Sequence, residues 1–123
     1  MHKGEAMGAR AASESGYYAR VVGDVREIAL TTEELAAITG VAERQVYNWA
    51  SGASKPSGPK RDRLLEVAYI VERLADVYTP EGVDIWLHGR NRELAGDRPI
   101  DLLRDGRFEP VVHAVERLRT GAM

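Results

Sequence analysis

Apolar residues recur along this chain at intervals of three and four and almost never in strict alternation, a pattern that predicts an all-α protein. Tyr18, Val21, Val22, Val25, Ile28 and Ala29 share one face of a helix expected over residues 17–30, despite Gly23. The next stretch, TTEELAAITGVAERQVYNWASG, keeps Leu35, Ile38, Val41, Val46 and Trp49 inward and breaks at Gly40. Thr32 is a suitable N-cap, with Glu33 and Glu34 in the first turn where the helix dipole favours negative charge. Gly40 supplies the break, and a third helix over residues 43–50 stops at Ser51 and Gly52.

The segment ASGASKPSGP is a connector, rich in Gly, Ser and Pro. Beyond it a long helix is expected over residues 59–78. Its stripe of Leu64, Leu65, Val67, Ala68, Val71, Leu74, Ala75 and Tyr78 is wide for a helix with one wet face. Three shorter helices follow. Thr79 and Pro80 cap the first, which ends near His88 and Gly89; Pro99 opens the second, ending before Gly106; Pro110 opens the last, which ends near Gly121.

Composition narrows the class. The chain has 123 residues, 44 % of them hydrophobic, enough for a core without staples. It contains no cysteine, which excludes disulfides and thiolate metal sites. No apolar run approaches the roughly 20 residues that cross a bilayer, so no membrane association is expected. The opening residues MHKGEAMGARAASESG lack the apolar core of a secretory signal and read as a flexible tail over residues 1–16. A cytoplasmic location follows by elimination. The net charge of −2 argues against indiscriminate coating of nucleic acid, but the charge is uneven. Residues 43–63 carry five cations (Arg44, Lys55, Lys60, Arg61, Arg63) against two carboxylates, whereas residues 64–123 carry eight cations against eleven.

Two helices joined by a tight turn at Gly40 meet the requirement of a helix-turn-helix. Val46 and Trp49 would pin the second helix to the core. Its outer side then holds Arg44, Gln45, Tyr47 and Asn48. Arginine reads guanine, and asparagine or glutamine reads adenine, through paired hydrogen bonds in the major groove. Lys55 and Lys60 lie just beyond, suited to phosphates. The segment ELAAITGVAERQVYNWASG resembles the Xre/Cro repressor family, with Thr39 where that family usually places an apolar residue before the turn glycine. Operator DNA is the partner that this resemblance implies. A symmetric operator requires two recognition helices, so a homodimer is expected, with the wide stripe of residues 59–78 as the candidate for its buried surface.

The second half carries Trp86-Leu87, Asn91, Leu94, Pro99-Ile100-Asp101-Leu102-Leu103, Gly106 and a final helix toward Gly121. Over residues 82–121 it resembles the C-terminal toxin-binding domain of the MbcA/ParS/Xre antitoxins. That resemblance implies an antitoxin whose partner is a RES-domain toxin, an enzyme that destroys NAD, with the two proteins together repressing their operon as a hetero-oligomer. It also implies that the C-terminal part covers the toxin's cleft, which makes Asn91, Arg92, Arg117, Leu118, Arg119 and Thr120 the candidate toxin contacts. On this reading residues 17–58 form the DNA-binding region, 59–78 a connecting helix and 79–123 a small helical toxin-binding domain. On residue patterns alone, Trp86 and Leu87 read as core anchors and Asn91 and Arg92 as residues of a glycine-flanked connector.

Catalytic chemistry is thin. His2, His88 and His113 are scattered, and no H-E-x-x-H motif or phosphate-binding glycine loop occurs, so neither metal, cofactor nor enzymatic activity is expected. Two alternatives are a stand-alone helix-turn-helix regulator and an interaction module whose helix-turn-helix no longer binds DNA.

Overall fold

Seven α-helices and one 3-10 turn, with no strand among the described residues, follow in order: α1 (Lys3–Ile28), α2 (Thr32–Thr39), α3 (Glu43–Ser51), α4 (Gly58–Ala75), α5 (Pro80–His88), the turn Arg92–Leu94, α6 (Pro99–Arg104) and α7 (Phe108–Thr120). This computed structural model describes the backbone of residues 3–120 and the side chains of residues 13–118 and 120. The expected end of the last helix at Gly121 and the Arg119 side chain lie outside the described residues.

Several boundaries differ from the sequence expectation. Helix α1 starts at Lys3 rather than residue 17, so the segment read as a tail is helical from Lys3 onward. Its alanines at 6, 9, 11 and 12, with Met7 and Arg10, have high helix propensity and outweigh the scattered glycines. The cap of α2 is Thr31, not Thr32: Thr31 Oγ1 accepts from the Glu34 amide at 3.1 Å, and the Thr31 amide donates to Glu34 Oε1 at 2.9 Å. This reciprocal pair satisfies two backbone donors at once and leaves Thr32 buried in the first turn. Helix α4 ends at Ala75, three residues early. Helix α7 begins at Phe108, so Pro110 falls in the first turn, where its missing N–H goes unneeded.

Elsewhere the end chemistry works as read. Gly40 and Gly52 close α2 and α3 in the left-handed conformation, with φ of 77° and 80°. The Thr79 hydroxyl accepts from the Gly82 amide at 3.3 Å to start α5. Thr39 is buried, yet its hydroxyl donates to the Leu35 carbonyl at 2.7 Å, which removes the penalty of a polar group at this position.

Helix α4 is the spine. Leu64, Val67, Ala68, Ile70, Val71 and Leu74 are buried, and α1, α2, α5 and α7 all pack against this helix. Most of the wide apolar stripe is therefore consumed inside the chain, with Leu65 and Tyr78 half-buried and Ala75 exposed. A single core runs from Val21 to Val115, with Trp49 and Leu87 both enclosed. Trp86 is only half-buried, so of the Trp86-Leu87 pair the leucine is the anchor. The indole Nε1 of Trp49 has no hydrogen-bond partner among the described residues.

Candidate DNA-binding and partner-binding faces

Helix α3 buries Val46 and Trp49 against the core. That fixes its rotation, and the positions between them turn outward. Arg44, Gln45 and Asn48 line one shallow concavity together with Gly40, Val41, Ala42 and Lys60 of α4. Four of the six residues picked out for DNA are thereby gathered on one face. Arg44 and Lys60 are exposed; Gln45 and Asn48 are half-buried. The Gln45 amide nitrogen donates to Ser54 Oγ at 2.9 Å, so the following loop holds this side chain in place.

Tyr47 and Lys55 sit elsewhere, both engaged by α1. The Tyr47 ring is 53 % exposed, and the Arg26 guanidinium lies 5.4 Å from its centroid in a cation–π contact. Lys55 forms an ion pair with Glu14. The Lys55 ammonium is thereby shared with a carboxylate. Neither Arg26 nor Glu14 was flagged by the sequence pattern, since each lies more than twenty residues from its partner and no helical period connects them.

The second candidate face is carried by the loop after α5 and by α7. Asn91 ties a small loop: its Oδ1 accepts from the Glu93 amide at 2.9 Å, its own amide donates to the Asp97 carbonyl at 3.1 Å, and the Gly96 amide donates to its carbonyl at 2.9 Å. Its side chain thus holds its own loop. Arg92 is exposed beside it. The loop packs on α7, where Arg117 Nε lies 3.3 Å from Glu93 Oε2. This contact brings Asn91, Arg92 and Arg117 into one region. Arg117 and Thr120 also share a shallow concavity with His113 and Glu116, and the Thr120 hydroxyl donates to the Arg117 carbonyl at 3.2 Å. Leu118 is half-buried against the core. For Arg119, the described residues give no side-chain placement. Arg98 holds Asp101 in a fork at 2.8 and 2.9 Å, and this pairing depresses the carboxyl's pKa.

A polar contact joins the first turn of α2 to the end of α5. His88, at the end of α5, places Nε2 2.6 Å from Glu34 Oε2 and Nδ1 2.8 Å from the Asp84 carbonyl. Burial opposes charge on both side chains. The hydrogen bonds and the mutual attraction outweigh it, raising the His88 pKa above its ordinary 6.5 and lowering that of Glu34 below 4.5. The carboxylate that caps α2 is thus also the anchor of α5.

A concavity of about 800 Å³ lies between the end of α1 and the start of α5, lined in part by Arg26, Glu27, Leu30, Glu81 and Asp84. Its acidic rim is unsuited to nucleic acid. Among the described residues no group of three His, Asp or Glu side chains converges on a metal-sized site, and no helix is long and apolar enough to cross a membrane.

No protein-family model matches the chain. It is 38 % identical over 102 residues to the probable mycobacterial cidal antitoxin Rv3188 of Mycobacterium tuberculosis, covering 83 % of this chain and 87 % of that protein. It is 32 % identical over 101 residues to the mycobacterial cidal antitoxin MbcA of Mycobacterium bovis, covering 82 % and 89 %. Among solved structures it is similar to a chain in the crystal structure of the M. tuberculosis MbcT–MbcA toxin–antitoxin complex. The TM-score is 0.73 at 31 % identity, over 85 % of this chain and 96 % of that one.

Proposed function

The chain belongs to the family of mycobacterial cidal antitoxins, and from that premise we propose that it is the antitoxin of a two-protein pair, neutralising its toxin by direct binding and not by catalysis. The observation that carries this reading is the likeness, over nearly the full length of both chains, to a chain of a toxin–antitoxin complex. The partner is a RES-domain enzyme that degrades NAD, and the place of action is the cytoplasm, where NAD and DNA are both at hand. The loop of Asn91 and Arg92 and the end of α7, with Arg117, Leu118, Arg119 and Thr120, form the contact surface. A cleft built for an anionic dinucleotide accepts guanidinium groups at its mouth, which is the chemistry that Arg92 and Arg117 offer.

The same chain represses its own operon through α3. Support for this is the gathering of Arg44, Gln45, Asn48 and Lys60 on one concavity. Arg44 and Asn48 supply base contacts, Gln45 is steadied by Ser54, and Lys60 holds phosphate. Tyr47 and Lys55 lie outside that concavity, in contact with α1. A homodimer presents two such helices to a symmetric operator. Its surface lies outside the buried side of α4. The exposed apolar residues available include Val77 and Ile85.

Co-expression tests the reading. Cells making the toxin encoded beside this chain should stop growing alone and recover when the chain is made with it. Failure to recover, with both proteins present and soluble, overturns the antitoxin assignment and leaves a stand-alone regulator.

A further inference from the structure

Arg63 belongs by sequence to the basic run that borders the recognition helix, yet it is half-buried and its guanidinium lies between two helix ends. On one side Nη1 donates to the Ile38 carbonyl at 3.4 Å, in the last turn of α2. A Cβ on Gly40, which closes that helix, would stand in ordinary contact with the same nitrogen, at 3.6 Å. On the other side lies Gly106, which ends the α6 segment at φ 79°. A Cβ on Gly106 would stand 3.0 Å from Nη2 and 3.5 Å from Cζ. The C-terminal turns of α2 and α6 thus approach one guanidinium, which bonds the Ile38 carbonyl of the first and lies against Gly106 after the second.

The placement matters because α3 begins at Glu43, directly after this turn, and its N-cap Ala42 makes no side-chain cap bond. The start of the recognition helix is held by the turn rather than by its own cap. We propose that Arg63 is a positioning residue for base reading, not a phosphate contact, and that Gly106 in the α6–α7 turn is a remote determinant of operator selection acting through it. Base readout requires placement to within about half an ångström, whereas phosphate attraction tolerates more. Displacing the guanidinium should therefore cost sequence preference and spare general affinity. This inference rests on the DNA-binding reading above.

The test compares binding to the duplex upstream of the chain's own reading frame with binding to a mixed-sequence duplex of the same length, over a range of salt. Three variants are measured beside the parent: Gly106→Ala, Arg63→Met and Gly96→Ala. Gly96 is the control for backbone strain, since its φ is 86° and nothing lies within 4 Å of a Cβ there. The expected result is that Gly106→Ala and Arg63→Met lose roughly tenfold on the upstream duplex, about the worth of one base contact. Their mixed-sequence affinity and salt slope stay at parental values, and Gly96→Ala behaves as the parent. If Arg63→Met instead weakens both duplexes alike and reduces the salt slope by about 0.9, Arg63 is a phosphate ligand and the proposal is overturned. It is also overturned if Gly106→Ala matches Gly96→Ala. Should Gly106→Ala fail to fold, the salt slope and preference of Arg63→Met decide alone. A parent with no preference for the upstream duplex defeats the DNA reading itself, and this inference with it.

Discussion

His88→Ala should lower thermal stability in a pH-dependent way, and the geometry sets both sign and size. The two ring nitrogens of His88 face a carboxylate oxygen and a backbone carbonyl, at 2.6 and 2.8 Å. Both partners only accept, so both nitrogens must carry protons and the ring is an imidazolium. Its folded pKa is raised, so the contribution is complete below about 6.5 and is lost as pH rises through the folded value. Glu34 is depressed, so its share is present above about 4.5 and disappears as acid titrates it through the lower folded value. The window of greatest benefit therefore lies between those two ordinary values. A charge-assisted hydrogen bond contributes about 1.5–3 kcal/mol; with the histidine 30 % exposed, about 1–2 kcal/mol is the better figure after solvent screening. For a chain of this size that corresponds to about 4–8 °C in Tm. Melting followed by circular dichroism at about pH 6 and about pH 9 should show the parent–variant gap at its full size in the first buffer and reduced by half or more in the second. An equal gap in both, or a wider one at high pH, would refute the imidazolium bridge.

Other outcomes follow from the placement of single residues. Leu87→Ala, which empties a fully buried site, should cost about 2–5 kcal/mol; Trp86→Ala, at a half-buried position, should cost less despite the larger side chain, as read from chemical denaturation. Arg44→Ala or Asn48→Ala should lose about 1–3 kcal/mol at one base position of the operator. Lys60→Ala should weaken all sequences alike and lower the salt slope by about 0.9, as fluorescence titration would show. The double change Arg117→Ala, Arg119→Ala should abolish growth rescue while leaving Tm within a few degrees. The Arg117–Glu93 pair is exposed, and such pairs are worth about 0–1 kcal/mol. Rescue equal to the parent's would move the toxin contact elsewhere.

Local chemistry was legible in the sequence, and long-range pairing was not. Gly40, Gly52, Thr79 and Pro99 mark helix ends because each acts on neighbours within four residues, and the inward set Leu35, Ile38, Val46 and Trp49 follows directly from helical period. The shift of the cap from Thr32 to Thr31 is a choice between adjacent residues of equal chemistry, decided by where Glu34 reaches back. The wide stripe of α4 was readable as a stripe, but whether a second chain or the same chain covers it depends on tertiary packing. Arg26 over Tyr47, Glu14 beside Lys55, His88 on Glu34 and Arg63 between two glycines all join residues far apart in sequence. No period or motif encodes such pairs, and they change the reading of the site: Lys55 and Tyr47 prove to be engaged, and Arg63 is drawn inward.

Neutralisation of the proposed NAD-degrading toxin is tested most directly by the rate of NAD loss in the presence of that purified protein as this chain is added. The rate should fall in proportion to the added chain and reach background once every toxin molecule is bound. NAD loss that continues undiminished with the chain in excess, or a neighbouring protein that forms the complex yet consumes no NAD, would contradict it.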